Sequence, residues 1–163
     1  MLFSVIIPTL NEELYIPDLL ADFVRQKVKN FEVIVVDAQS EDKTQEVVRS
    51  FAKQIPLQVI ISPKKHVAFQ RNLAAKKAKG KYLLFLDADA RVYSSFTSRV
   101  EWAILRKKSR LLVPTTIPDN DSAGNKLGFK IVNSLVEASR LIGRPFSTAS
   151  YIFIDRMLFY ELG

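Results

Sequence analysis

Four short apolar runs, each closing on a polar or charged segment and each followed by a stretch of helical spacing, decide what this chain can fold into. Phe3 to Ile7 is apolar and rich in β-branched residues, and Pro8 stops it. Phe31 to Val36 runs into Asp37, Leu57 to Ile61 into a basic loop at Pro63, Lys64 and Lys65, and Tyr82 to Leu86 into Asp87. The runs are continuous rather than alternating, so both faces of each strand need cover. Helical segments lie between them. Asn11 stands where it can cap a helix with an apolar stripe of Leu14, Leu19, Leu20, Phe23 and Val24. Ser40, Glu41 and Asp42 read as the start and acidic first turn of a second helix bearing Val47, Val48 and Phe51. A third helix is expected from about Val67 to Lys79, with Gly80 at the place of a C-cap glycine. Strand and helix in strict alternation predict an α/β fold with a mostly parallel central sheet and helices on both faces.

The second half is less regular. Ser94 to Lys107 reads as a helix, Leu111 to Val113 as a short strand and Asp119 to Gly124 as a polar loop. Leu127 to Ile142 is helical in spacing, with Ile131, Leu135, Ala138 and Ile142 on its apolar side. Ser150 to Ile154 is one more strand, and Asp155 opens a final helix that stops at Gly163. A length of 163 residues suits a single domain, 1–163, divided into halves at about residue 90.

Composition narrows the chemistry. With no cysteine and a single histidine, His66, disulfides, thiolate sites and multi-histidine zinc sites are excluded. Any metal must sit on oxygen ligands, which suits Mn2+ or Mg2+. The net charge of +7 admits phosphorylated ligands, nucleic acid or an anionic membrane surface. The basic residues are dispersed and carry no aromatic-rich binding motif, so a nucleic-acid partner is ranked last. No apolar run approaches the ~20 residues of a membrane span, and the N-terminus lacks the pattern of a signal peptide. The expectation is a cytoplasmic protein, with peripheral contact at the inner membrane face as an option.

In an open parallel sheet, ligands bind beyond the carboxyl ends of the strands. Those ends here are Pro8-Thr9-Leu10-Asn11-Glu12-Glu13, Asp37 and Asp87-Ala88-Asp89. Each alone has an ordinary reading as a cap or turn. Together they bring acidic clusters to one edge. Two carboxylates straight after a buried strand, on a basic protein, can share a divalent cation that neutralises a diphosphate. Neither G-x-G-x-x-G nor a Walker A sequence occurs, so phosphate charge must be met by metal and by Lys or Arg. Arg71, near Phe69 and Leu73, reads as a buried or site-facing arginine, whereas Lys76, Lys77 and Lys79 read as a solvated helix face. His66 is more simply a packing or capping residue than a ligand or base.

These residues resemble a known family. Ser4-Val-Ile-Ile-Pro-Thr-Leu-Asn-Glu-Glu13 is similar to the opening strand of family 2 glycosyltransferases of the GT-A fold. Val35-Val-Asp-Ala-Gln-Ser-Glu-Asp-Lys-Thr44 resembles their second motif, and Phe69-Gln-Arg-Asn72 with Gly80-Lys-Tyr-Leu-Leu-Phe-Leu-Asp-Ala-Asp89 their third and fourth. The resemblance is clear from Leu2 to Ala90 and looser from Thr148 to Gly163. It implies a nucleotide-sugar-binding half in 1–90 and a partial acceptor-side half in 91–163. It also implies metal-dependent, inverting transfer from a UDP- or GDP-linked sugar to a hydroxyl of a glycan or lipid-linked acceptor. Pro8, Thr9, Glu12 and Asp37 would surround the nucleoside, with Asp37 meeting the base. Arg71 would lie beside the base or diphosphate. Asp87, Ala88 and Asp89 would meet the donor, with Asp89 and Asp87 at the metal.

Two departures from the pattern stand out. Lys65-His66-Val67 occupies a stretch where such enzymes often carry a glycine, so the phosphate-side loop is expected to differ. Ile152 to Gly163 resembles the segment that precedes later acids in the family, among them the general base. The resemblance therefore implies a truncated C-terminal part with the base beyond Gly163, and Asp119, Asp121 and Glu137 are only substitutes. The competing readings are a nucleotidyltransferase, which should carry a glycine-rich basic signature near the first strand, and a non-catalytic nucleotide-binding domain, which leaves Asp87 and Asp89 unexplained.

Overall fold

The computed structural model describes residues 1–107, 110–112, 134 and 151–162. Its strands are β1 (Phe3–Thr9), β2 (Phe31–Asp37), β3 (Leu57–Ile61), β4 (Tyr82–Leu86), β5 (Leu111–Leu112) and β6 (Tyr151–Asp155). Its helices are α1 (Ile16–Val24), α2 (Thr44–Ser50), α3 (Val67–Ala75), α4 (Phe96–Lys107) and α5 (Arg156–Leu162). The six strands form one sheet in the order β3-β2-β1-β4-β6-β5. β1 runs parallel to β2 and β4, and β2 parallel to β3. β6 is antiparallel to both β4 and β5. The mostly parallel α/β sheet expected from the apolar runs is thus present, with an antiparallel margin.

Every residue of β1, β2 and β4 is buried, because helices cover both faces. On one face, Phe3, Val5, Ile7, Val33, Val35 and Leu84 pack with Ile16, Leu19, Leu20 and Phe23 of α1, Val48 of α2 and Val100 and Ile104 of α4. On the other, Ile6, Ile34, Val36, Leu83 and Phe85 pack with Ala74, Ala75 and Ala78, and with Leu158 and Phe159 of α5. At about 25 cal/mol per Å² of apolar surface, this two-sided burial is the main force holding the sheet.

Several local expectations are corrected. Asn11 does not cap α1. It sits at φ 58°, a left-handed conformation that Asn tolerates, and the helix begins only after Tyr15. Leu14 consequently falls outside the apolar stripe and is 77% exposed. Glu41 and Asp42 precede α2 rather than forming its first turn, because Asp42 Oδ1 instead accepts from the backbone N–H and hydroxyl of Thr44 at 3.0 and 2.6 Å. α3 ends at Ala75, not Lys79, so Gly80 is not its C-cap. Gly80 is required for another reason. A Cβ there would lie 2.5 Å from backbone atoms of Phe3 and Ser4, so β1 approaches too closely for any side chain. β5 is confined to Leu111–Leu112, with Val113 outside the described residues, as are Asp119 to Gly124 and all of Leu127 to Ile142 except Ser134.

Candidate functional site

The chain leaves β1 for β2 and β3 on one side and returns to β4 on the other. That change of direction opens a crevice at the carboxyl ends of β1 and β4, where ligands of open α/β sheets bind. All the acidic strand ends singled out in the sequence lie along this edge.

Pro8 and Thr9 finish β1 in register with Val36 and Asp37. Asp37 is 1% exposed, and its carboxylate is fully engaged by protein donors. Thr9 Oγ1 donates to it at 3.1 Å, the Ser40 N–H at 2.9 Å and Gln45 Nε2 at 2.8 Å, and the Ser40 hydroxyl donates as well. Two loops are thereby joined. The Asn11 N–H donates to Ser40 Oγ at 2.9 Å, and the Glu41 N–H returns a bond to Asn11 Oδ1 at 2.9 Å. The Glu12 N–H donates to Thr44 Oγ1 at 2.8 Å, and the Glu13 N–H to Asp42 at 3.1 Å. The side chain of Glu12 is half-buried on this frame. Burial first, then the negative charges of Asp89, Asp42 and Asp87, push its carboxyl above the ordinary 4.5.

The turn after β4 explains the Asp-Ala-Asp spacing. Ala88 and Ala90 are buried against the core, while Asp87 is half-buried and Asp89 exposed. Ala88 and Ala90 pack inward, and both carboxylates lie near enough to Glu12 for their charges to act on it. Ala88 therefore contributes its small size and its backbone. Arg71 of α3 donates from Nη2 to Asp87 Oδ1 at 2.8 Å, and its guanidinium lies 5.9 Å from the centroid of the Phe85 ring. Arg71 Nε is buried and has no hydrogen-bond partner among the described residues. That N–H lies out of reach of solvent, so Arg71 acts at the open edge through Nη2 and its positive charge.

Among the described residues, no group of three or more Asp, Glu or His forms a complete cation site. Asp87 and Asp89 are the two carboxylates that would offer hard oxygen donors here. That donor set fits Mn2+ or Mg2+ when phosphate oxygens and water complete the shell. His66 is exposed, and its Nδ1 accepts from the Phe69 N–H at 3.3 Å, capping α3. Lys76, Lys77 and Lys79 are exposed, as expected.

Sequence reasoning missed two supporting features. Gln70, 3% exposed, donates from Nε2 to the carbonyls of Thr9 and Val36 at 3.1 and 2.6 Å, fixing α3 against the ends of β1 and β2. Nothing in the local pattern distinguishes it from a surface glutamine. Asp22 is buried on α1, where it accepts from Arg91 Nε at 2.8 Å and the Val92 N–H at 3.0 Å. Its signal was present: an acid lies among Leu19, Leu20 and Phe23 on the apolar stripe.

The family model for glycosyl transferase family 2 matches residues 4–163. The chain belongs to glycosyltransferase family 2. The TarS poly(ribitol-phosphate) beta-N-acetylglucosaminyltransferase of Staphylococcus aureus (strain Mu50) is 39% identical over 93 residues, covering 55% of this chain and 16% of that protein. The chain thus spans about a sixth of the length of that curated relative. Among solved structures, S. aureus TarS 1–349 in complex with UDP-GlcNAc matches with a TM-score of 0.68 at 32% identity, over 76% of this chain and 36% of that one. Mannosyltransferase PcManGT from Pyrobaculum calidifontis, in complex with GDP-Man and Mn2+, matches with a TM-score of 0.79 over 99% of this chain and 46% of that one. At 23% identity the second likeness speaks for the fold alone, and that fold is the GT-A type expected for this family 2 member.

Proposed function

We propose that this family 2 chain binds a nucleoside-diphosphate sugar, UDP- or GDP-linked, and transfers the sugar with inversion to an acceptor hydroxyl. The observation that carries the reading is the clustering of Glu12, Asp87 and Asp89 at the crevice between β1 and β4, with the half-buried guanidinium of Arg71 paired to Asp87. Thr9, Pro8 and Asp37 form the floor of the nucleoside side. Asp37 acts there by fixing the loops that carry Glu12 and Ser40, with the base seated against that frame. Arg71 holds Asp87 through Nη2 and sets its positive charge beside the diphosphate. Asp89 and Asp87 hold Mn2+ or Mg2+. When bound, the cation neutralises the charge that develops on the departing nucleoside diphosphate. The ligands in these solved complexes, UDP-GlcNAc for TarS and GDP-Man for PcManGT, support a nucleotide sugar as the class of donor.

The acceptor is a glycan or lipid-linked hydroxyl approaching from the side of residues 91–163. Among the described residues no helix is long and apolar enough to cross a membrane. Peripheral contact of the basic surface with the cytoplasmic face of a membrane would bring the chain to a lipid-linked acceptor.

Calorimetric titration of the chain with UDP-, GDP- and dTDP-sugars, with and without Mn2+, tests the reading. A UDP- or GDP-sugar is expected to bind far more tightly with the metal. Asp89→Ala should weaken that metal-dependent binding about tenfold or more. The proposal fails if no nucleotide sugar binds, or if Asp89→Ala leaves metal-dependent binding unchanged. Tight binding with no transfer to any glycan or lipid-linked acceptor would favour the non-catalytic reading instead.

A further inference from the structure

Asp22 lies in the middle of the apolar face of α1, where an ionised carboxylate is costly unless several donors meet it. Four do. Arg91 reaches it in forked fashion, with Nε at 2.8 Å and Nη2 at 3.2 Å from its two oxygens. The Val92 N–H donates at 3.0 Å, and Arg25 adds an ion pair from the next turn of the helix. Arg91 Nη1 also reaches Asp18 at 3.1 Å. One turn further along, Gln26 Nε2 donates to the Tyr93 carbonyl at 2.8 Å, and Gln26 Oε1 accepts from the Thr97 N–H at 3.0 Å. The segment leading out of the Asp87–Asp89 turn is therefore fastened to α1 and the residues just after it at several points. The strand leading in is fastened by the pairing of β4 with β1.

We propose that Asp22 and Arg91 form a clamp that positions the Asp87–Asp89 turn for its cation. Asp22 is then a positioning residue for the donor site, acting through Arg91 and Val92. The inference rests on the donor-site reading above. The clamp does two things. It fixes the angle at which Asp89 leaves the core, and it turns the guanidinium two residues away from Asp89 toward α1. Without Asp22, that guanidinium would be released to pair with Asp89 and compete with the divalent cation. The same helix is capped by the loop of Glu12, whose carbonyl accepts from the N–H groups of Tyr15 and Ile16 at 3.1 and 3.0 Å. One rigid element thus sets the spacing between the two acidic loops of the site.

The test compares Asp22→Asn with Glu32→Gln. Glu32 is a buried carboxylate at the opposite edge of the sheet, where it accepts from Ser4 Oγ at 2.6 Å and the Lys79 N–H at 2.7 Å. Both variants lose buried hydrogen bonds, so both should lose stability. Two readouts separate positioning from stability: hydrogen exchange at the amides of Ala88 to Tyr93 in the ligand-free chain, and Mn2+-dependent binding of the UDP- or GDP-sugar. Asp22→Asn is expected to speed exchange in that segment and to weaken Mn2+-dependent binding about tenfold or more. Glu32→Gln should change neither. The proposal is overturned if Asp22→Asn binds the metal and donor like the parent chain, if its exchange at Ala88 to Tyr93 is unchanged, or if Glu32→Gln shows equal losses. If the parent chain itself binds no donor, the donor-site reading falls, and the exchange comparison alone decides the clamp.

Discussion

A methyl group at residue 80 is enough to separate two strands. With Phe3 and Ser4 backbone atoms 2.5 Å from the ideal Cβ, Gly80→Ala must push β1 away from the segment that leads into β4. The expected cost is about 3 kcal/mol, read as a lower urea midpoint, because backbone rather than a yielding side chain is in the way. Asp37 is the second single residue with a large effect. Its replacement by Ala strands four donors and should cost about 3 kcal/mol, while loosening the paired loops that frame Glu12. Thermal melts with and without donor should show a lower melting temperature and a smaller shift on donor binding. The sequence placed Asp37 at a strand end. It did not reveal that the carboxylate is filled from Thr9, Ser40 and Gln45, since those bonds depend on how two loops fold over each other.

At the scale of elements, the clamp on α1 has a measurable dependence on pH. Burial pushes the Asp22 carboxyl up, but the bonds from Arg91, Val92 and Arg25 outweigh it and hold the group below its ordinary 3.8. A folded-state value below the unfolded one means that folding favours the ionised form. This contribution is complete above about pH 4 and is lost as pH falls through the folded value. Unfolding curves of the parent chain and of Asp22→Asn should therefore converge as pH is lowered from about 5 to 2. If the gap stays constant, the carboxylate charge is not what stabilises the contact. Elements were also what the sequence disclosed best. β1 to β4 lie at the apolar runs, because the continuous burial of β1, β2 and β4 leaves an unbroken hydrophobic signature; β1 nevertheless continues through Pro8 to Thr9, and β3, at the margin of the sheet, is only partly buried. The helix ends were less legible. Asn11, Asp42 and Gly80 all carry capping chemistry, yet each is used for a contact with a different segment. Local propensity cannot distinguish a cap from a tertiary bond made by the same atoms.

At the scale of the molecule, charge is unevenly placed. The chain carries a net +7, yet burial, and then the charges of Asp89, Asp42 and Asp87, raise the Glu12 carboxyl above 4.5. A raised folded-state value means that Glu12 favours folding only while it is protonated, below about pH 4.5, and opposes it once ionised. Glu12→Gln should therefore raise the melting temperature at neutral pH without metal. It should also shrink the further rise produced by Mn2+ with a nucleotide sugar, because less repulsion is left for the cation to relieve. A melting temperature that falls in the variant would show that the Glu12 charge is stabilising instead. The sheet carries a consequence of another kind. β4 is flanked by β1 on one side and by β6 on the other, and β6 comes from the far end of the chain. During synthesis, Tyr82 to Leu86 emerges with one margin bare and stays so until Tyr151 to Asp155 follows. A five-residue apolar strand with unpaired backbone groups readily recruits strands from other chains. The nascent protein is thus most prone to aggregate in the interval between these two strands, when a chaperone covering β4 would matter most.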